Sequence, residues 1–321
     1  MTEPDYEALW RKRILPRIRS QAVRSLPSTT VFLGAQPGAG KTRGQELVKK
    51  LYGGRILPVV GDDFRQYHPD FDALVENDPL AMPGITAKAA GIWTGMAVKY
   101  ADDHGVSCVI EGTWRNAPTV LDEAGKAIAL GRGTHAVLLA VPPALSRLGT
   151  LARFYDDLAA MGVARWTPPA AHETTIANLE KNVPLIADSG LMDRLTVISR
   201  DGTVLYDGHD PQAFAAAWSQ EFHRDLTPQE ARQALSETAS LRTLAERHTP
   251  GNQEATRQLD LIERDAHRSL AHAENRDTPG APAAPERTGR GAHPGQEPVG
   301  DTTRQAGTPA ARQTKGRGHH R

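Results

Sequence analysis

Cysteine is nearly absent from this sequence, with Cys108 alone among 321 residues. That excludes an internal disulfide and any cysteine-built metal cluster, and it fits a reducing compartment. The neighbours Val106, Val109 and Ile110 predict that the one thiol is buried in a strand and chemically idle. No apolar run approaches the roughly 20 residues of a membrane helix. A secretory core is also missing near the N-terminus, where Leu9-Trp10 runs at once into Arg11-Lys12-Arg13. A cytoplasmic protein without membrane contact is the expectation. Charge of one sign is lacking too: 38 Lys and Arg balance 38 Asp and Glu. The chain as a whole therefore has no field to capture nucleic acid, and its mildly basic end carries no aromatic residue on which bases could stack. No nucleic-acid partner is expected.

From about Asp277 onward the large aliphatic residues nearly vanish and Pro, Gly, Ala, Thr and Arg dominate. Such a composition cannot bury enough apolar surface to fold, so residues 276–321 read as a disordered tail. Gly318-His319-His320 is too short to argue for metal binding. The remainder divides into an N-terminal helical segment (1–27), a globular domain (28–223) and a helical extension (224–275). Tyr6 to Arg24 is helical and basic in pattern, suited to packing on the domain, covering a site or docking another protein. In the extension, Thr227-Pro228-Gln229-Glu230 has the form of a capping box opening a helix to about Arg247, and Asn252-Gln253 opens another to about Asn275. Ala231, Leu235, Leu241 and Leu244 give the first a modest apolar face, compatible with a packed hairpin or with a solvated pair.

Within the domain, strands are predicted at Thr29 to Gly34, Arg55 to Val60, Val106 to Ile110, His135 to Val141 and Leu195 to Ser199. Helices are predicted at Arg43 to Leu51, through Phe71 to Tyr100 with breaks at Pro79, Pro83 and Gly84, and at Val120 to Leu130. Three more follow at Ala144 to Met161, Glu173 to Ile186 and Pro211 to Phe222. The alternation argues for right-handed crossovers and an α/β fold with a mainly parallel sheet flanked by helices. Ligands of such sheets bind outside the carboxyl ends of the strands. The first strand ends in Gly34-Ala35-Gln36-Pro37-Gly38-Ala39-Gly40-Lys41-Thr42, the second in Gly61-Asp62-Asp63, the third in Glu111-Gly112-Thr113. These three segments should converge.

The first of them is a phosphate-binding loop. Its glycines let backbone N–H groups wrap phosphate oxygens, and the following helix aims its positive end at the same anion. Gln36, Pro37, Gly38, Ala39, Gly40, Lys41 and Thr42 are the candidate nucleotide ligands, with Lys41 on the β- and γ-phosphates and the Thr42 hydroxyl on Mg²⁺. Ala35 stands where the motif usually has its first glycine, beside Gly34. A small-molecule kinase further needs a carboxylate to accept the acceptor's proton and cations for the transferred phosphoryl group. Asp62 is the first candidate for the base and Asp63 the second, with a helix N-cap as the structural alternative. Arg65, Arg115, Arg153 and Arg165 are the candidate cations. Arg153 and Arg165 flank Gly162 as a hinged, arginine-bearing lid would require, unless Arg153 is merely paired with Asp156-Asp157.

The loop, then Gly61-Asp62-Asp63-Phe64-Arg65-Gln66-Tyr67-His68-Pro69, then Ile110-Glu111-Gly112-Thr113-Trp114-Arg115, resemble the ordered motifs of the zeta toxins over roughly Leu26 to Phe222. The resemblance implies a P-loop kinase that uses ATP and Mg²⁺ to phosphorylate the 3′-hydroxyl of UDP-N-acetylglucosamine, interfering with peptidoglycan precursor supply. It implies Lys41 on the ATP phosphates, Thr42 at Mg²⁺, and Asp62 as the base at the sugar hydroxyl. Glu111, Thr113 and Arg115 would hold the sugar nucleotide, Arg65 would lie beside them, and Arg153 and Arg165 would neutralise the transferred group. Trp166 competes with Arg165 for the second lid position, and Trp114 either lines the substrate pocket or belongs to the core. A small antitoxin protein is the partner that the resemblance implies. Two other readings stay open: a P-loop kinase for another hydroxyl acceptor such as an antibiotic or nucleoside, and an NTP-binding regulator without kinase activity.

Overall fold

In the computed structural model, which describes residues 4–78, 81–162 and 164–277, the apolar segment ahead of the glycine loop is the middle of a six-stranded sheet. Pro79, Val163 and residues 278–321, with them nearly all of the expected tail, lie outside the described residues. In chain order the elements are α1 (Tyr6–Leu9), a π turn (Trp10–Ile14), α2 (Leu15–Gln21), β1 (Thr29–Gly34), α3 (Lys41–Leu51) and β2 (Leu57–Val59). Short helices α4 (Gly61–Phe64), α5 (Phe71–Asn77) and α6 (Met82–Ile85) lead to α7 (Ala87–Asp103), β3 (Cys108–Gly112), α8 (Ala117–Ala129) and β4 (Gly133–Ala140). There follow α9 (Pro143–Met161), α10 (Pro169–Ala187), β5 (Arg194–Ser199), β6 (Val204–Gly208), α11 (Pro211–His223), α12 (Pro228–His248) and α13 (Gln253–Asp277).

The strand order is β2-β3-β1-β4-β5-β6, parallel throughout except for β6, which runs antiparallel to β5 at the edge. Successive side chains of β1 serve opposite layers, as the two-residue period of a strand demands. Val31 and Leu33 enter one core with Val48 of α3 and Leu148 and Leu151 of α9, while Phe32 enters the other with Leu179 of α10 and Phe214 of α11. A strand buried on both faces needs apolar residues at successive positions, and Val31-Phe32-Leu33 provides them. Full burial of Leu33 contributes about 2 to 3 kcal/mol.

Several elements differ from the sequence expectation: β2 shortens to Leu57–Val59, α8 and α10 begin three and four residues early at Ala117 and Pro169, and β3 and β6 depart further. β3 begins two residues later than Val106 and runs through Glu111 and Gly112, which pair with Leu33 and Gly34 in the ladder. Glu111 is thus fixed by a strand instead of carried on a loop. β6 is an addition: the Asp201-Gly202 turn folds Val204–Gly208 back on β5, although the strand is short and largely exposed.

The C-terminal helices pack on the domain. The capping box is complete, with the Glu230 N–H donating to Thr227 Oγ1 at 3.2 Å and the Thr227 N–H donating to Glu230 Oε2 at 2.8 Å. Ala231 and Leu241 of α12 and Leu259 and Ile262 of α13 join the same core as Val31 and α9. At the other end Trp10, Ile14 and Ile18 are buried with Phe64 and Trp93, and the Trp93 indole N–H donates to the Tyr6 carbonyl at 3.0 Å. The N-terminal segment thereby packs against α7 and β2. No described helix is long and apolar enough to cross a membrane.

Candidate active site

The phosphate loop leaves β1 where Gly34 lies in register with Gly112 of β3 and Leu138 of β4. Gly34 is required by packing: a Cβ there would meet the Trp114 indole at 2.5 Å. The alanine that follows fits because its methyl is fully buried while its N–H donates to the Gly112 carbonyl at 3.3 Å. Gly38, at φ +74°, has no room for a side chain, since a Cβ would come 2.0 Å from the Ser146 carbonyl oxygen. Gly40, at φ +90°, is the left-handed residue that starts α3. The N–H groups of Gly38, Gly40, Lys41 and Thr42 have no partner among the described residues. Four free donors at the positive end of an eleven-residue helix form a cradle for phosphate. The Gln36 side chain turns the other way, fully buried, and donates to the Val141 carbonyl at 2.7 Å.

Across from the loop, Asp62 sits in the first turn of α4, where no side chain caps the helix. Its carboxylate is instead gripped by two arginines, Arg165 Nη1 on Oδ2 at 2.6 Å and Arg65 Nε on Oδ1 at 2.8 Å. Partial desolvation opposes its ionisation, but the hydrogen bonds and charges of Arg165 and Arg65 prevail and hold the carboxyl down at about 2. Arg65 is itself anchored, donating through Nη1 to the Pro83 carbonyl at 2.6 Å and to Thr86 Oγ1 at 2.8 Å. Asp63 goes the other way, its pKa raised by burial and by the Asp62 charge against the pull of Arg17 and Arg153.

Glu111 bridges the two sides. Lys41 Nζ lies 3.7 Å from Oε1, and the Gln45 amide donates to Oε2. Burial raises its pKa, the charges of Asp62 and Asp63 add to that, and Lys41 and Gln45 work against it. Gln45 was not singled out from the sequence, although it stands four residues beyond Lys41 on α3 and therefore on the same helix face.

The remaining candidates fall into two groups. Arg153 projects from α9 into solvent and, among the described residues, has no ion pair with Asp156 or Asp157. Arg165 follows the left-handed Gly162 that ends α9 and reaches Asp62, while Trp166 turns inward against Phe154 with ring centroids 4.8 Å apart. Of the two candidates for the lid position, Arg165 thus faces Asp62, and the indole beside it is core. Thr113 and Arg115 sit in the turn after β3, half-buried and exposed respectively. Between them Trp114 is buried at φ +54°, its carbonyl accepting from Asn182 Nδ2 at 2.8 Å, so it is a core residue and not a pocket wall. A left-handed tryptophan stores about 1 to 3 kcal/mol of strain, tolerated where the backbone must turn sharply at a site. Beside the loop, a cavity of about 500 Å³ is lined by Arg43, Leu145, Leu148, Arg200 and the α12 residues Glu230 and Glu237.

Comparison with known proteins points to the same family. The family model described as zeta toxin matches residues 17–210. A zeta toxin of Enterococcus hirae is 28% identical over 237 residues, 72% of this chain and 82% of its own length. One from Streptococcus pyogenes is 32% identical over 189 residues, covering 58% and 66%. Among solved structures, one from the PezAT chromosomal toxin-antitoxin system of the human pathogen Streptococcus pneumoniae superposes with a TM-score of 0.67 at 23% identity, covering 76% of this chain and 99% of that one. An AvrRxo1-ORF1:-ORF2 structure with ATP gives 0.52 at 14% identity, covering 81% and 90%. These two likenesses concern the fold, that of a P-loop kinase-like protein.

Proposed function

The chain belongs to the zeta toxin family, toxins of P-loop kinase-like function, and on that premise we propose that it transfers the γ-phosphoryl group of ATP to the 3′-hydroxyl of UDP-N-acetylglucosamine. The observation that carries the reading is the pairing of Asp62 with Arg165 and Arg65, opposite a loop whose four N–H groups are free. A carboxylate that is ionised at neutral pH can take a proton, and guanidinium groups beside it can meet the charge of the group in transit.

In this reading Gly38, Gly40, Lys41 and Thr42 hold the ATP phosphates, and the cavity beside Arg43 takes the nucleoside. Mg²⁺, when bound at the Thr42 hydroxyl, supplies neutralising charge for the polyphosphate. Glu111, Thr113, Arg115 and Arg65 orient the sugar nucleotide. The acceptor oxygen attacks the γ-phosphorus, its proton passes to Asp62, the bond to the β-phosphate oxygen breaks, and ADP leaves. Arg165 turns from Asp62 to the phosphoryl oxygens, joined by Arg153, which makes no ion pair among the described residues. Losing Arg165 removes one of the two partners that hold the Asp62 pKa near 2, so the base strengthens as the proton arrives.

The protein would act in the cytoplasm, and the toxin-antitoxin origin of its structural relative supports a small antitoxin protein as its partner. The test is incubation of the purified chain with ATP, Mg²⁺ and, separately, UDP-N-acetylglucosamine, a nucleoside and an aminoglycoside, followed by mass spectrometry. A phosphate added only to UDP-N-acetylglucosamine supports the proposal. Phosphate on another acceptor alone transfers the kinase reading to that hydroxyl.

A further inference from the structure

Beneath the phosphate loop runs a buried chain of polar side chains with no part in the chemistry above. Gln36 of the loop points its Nε2 at Val141 O and, more distantly, at Ser146 Oγ, 3.4 Å away. Ser146 Oγ lies 2.9 Å from His172 Nε2, and His172 Nδ1 lies 3.2 Å from Glu173 Oε1. Glu173 receives two bonds from Arg147, at 2.8 and 2.9 Å, and Arg147 reaches on to Asp265 of α13 at 3.3 Å. Gln36, Ser146 and His172 are all almost wholly buried. A carboxylate at Nδ1 favours the ring proton there, which leaves Nε2 and the Pro143 carbonyl, 3.0 Å from Ser146 Oγ, as the two acceptors within reach of the one hydroxyl proton. Gln36, Ser146, His172 and Glu173 are thereby linked in one chain.

A serine, a histidine and a carboxylate in this order have the form of a hydrolytic triad, but Ser146 is fully buried and no substrate carbonyl can reach it. Position explains the chain better. The Ser146 carbonyl is the atom that forbids a side chain at Gly38, and a Cβ on Gly149 would meet the Gly38 carbonyl at 2.4 Å. The first two turns of α9 are therefore the surface on which the loop rests. His172 of α10 and Asp265 of α13 grip those turns from the far side through Ser146 and Arg147.

We infer that His172 is a positioning residue for the phosphate loop, acting through Ser146 and Gln36, and that Arg147 and Asp265 tie the C-terminal helices into the same support. The inference rests on the reading of the loop as the ATP site, but its mechanical part can be measured without nucleotide. Hydrogen exchange of the hydrogen-bonded loop amides, those of Ala35, Ala39 and Arg43, would be followed in the full chain for wild type, His172→Leu, His172→Gln and Ser146→Ala. His135→Leu is the control, since His135 is another buried histidine, bonded to Tyr52 and Thr196. Loss of one buried hydrogen bond should speed loop exchange about five- to tenfold in His172→Leu and Ser146→Ala. The Gln variant can turn its amide oxygen to the Nε2 position to accept from the Ser146 hydroxyl and should stay within about twofold of wild type, as should the His135 control. In kinetics the His172→Leu change should appear in KM for ATP, about tenfold, with kcat within about twofold.

Loop exchange unchanged in both His172→Leu and Ser146→Ala, or equally fast in His135→Leu, would overturn the inference. If His172→Leu does not fold, Ser146→Ala and His172→Gln decide it on the same criterion. Faster loop exchange in a protein whose wild type binds no ATP would uphold the support and remove the nucleotide reading instead.

Discussion

The two ends of the parallel strands handle polar groups in opposite ways. Where the strands begin, Arg132 is almost wholly buried and spends its guanidinium on Thr30 Oγ1, Ser28 Oγ and the Ala101 and Val106 carbonyls, with Asp102 at 3.3 Å. His135, nearby on β4, lies between Tyr52 OH at 2.9 Å and Thr196 Oγ1 at 2.8 Å. Both residues are satisfied by protein. Where the strands finish, the loop N–H groups bond to nothing else among the described residues, and Asp62 holds two arginines while open to solvent. Saturated polar groups hold a fold together; unsatisfied ones, kept open by glycine and strand geometry, await a ligand.

Substitutions at the two ends should therefore separate activity from stability. Asp62→Asn should lower kcat by about 10²- to 10⁴-fold. Its stability in urea should move by less than about 1 kcal/mol, because the pair with Arg165 is solvent-accessible. At the opposite end Arg132→Leu strands several buried acceptors and should cost about 3 to 5 kcal/mol, read as a lower urea midpoint with an unchanged slope. The folded fraction of that variant should keep near wild-type kcat.

A smaller effect comes from His135, whose pKa burial pushes down to about 4, with the Arg194 charge adding to the shift. The unfolded chain, with an ordinary histidine pKa near 6.5, binds the extra proton first. Stability from this residue is present above about pH 6.5 and is lost as pH falls towards 4, by up to about 3 kcal/mol. Urea melts of His135→Gln over that range should be flatter than those of wild type. Equal slopes would mean that another group titrates.

The phosphate loop was legible because it is contiguous: one strand, one turn and one helix start carry it, and each announces itself locally. The three-segment convergence was legible from topology, since parallel strands deliver their ends to one side. Distance hid the rest. Nothing local marks Gln45 as the partner of Glu111 or Pro83 as the anchor of Arg65, because those contacts exist only after folding. Gly34 is explained by Trp114, 80 positions away, and the choice between Arg165 and Trp166 by Phe154. β6 escaped because an exposed edge strand lacks the alternation that a buried face imposes.

The central claim is that the open end is a kinase site with Asp62 as its base. The most direct measurement is a phosphorus NMR spectrum of the protein with ATP, Mg²⁺ and UDP-N-acetylglucosamine, recorded for wild type and for Asp62→Asn. A new monophosphate signal coupled to the sugar's 3-position proton, present with wild type and absent with Asp62→Asn over the same time, is the predicted result. The same signal growing at the wild-type rate in Asp62→Asn would contradict the account.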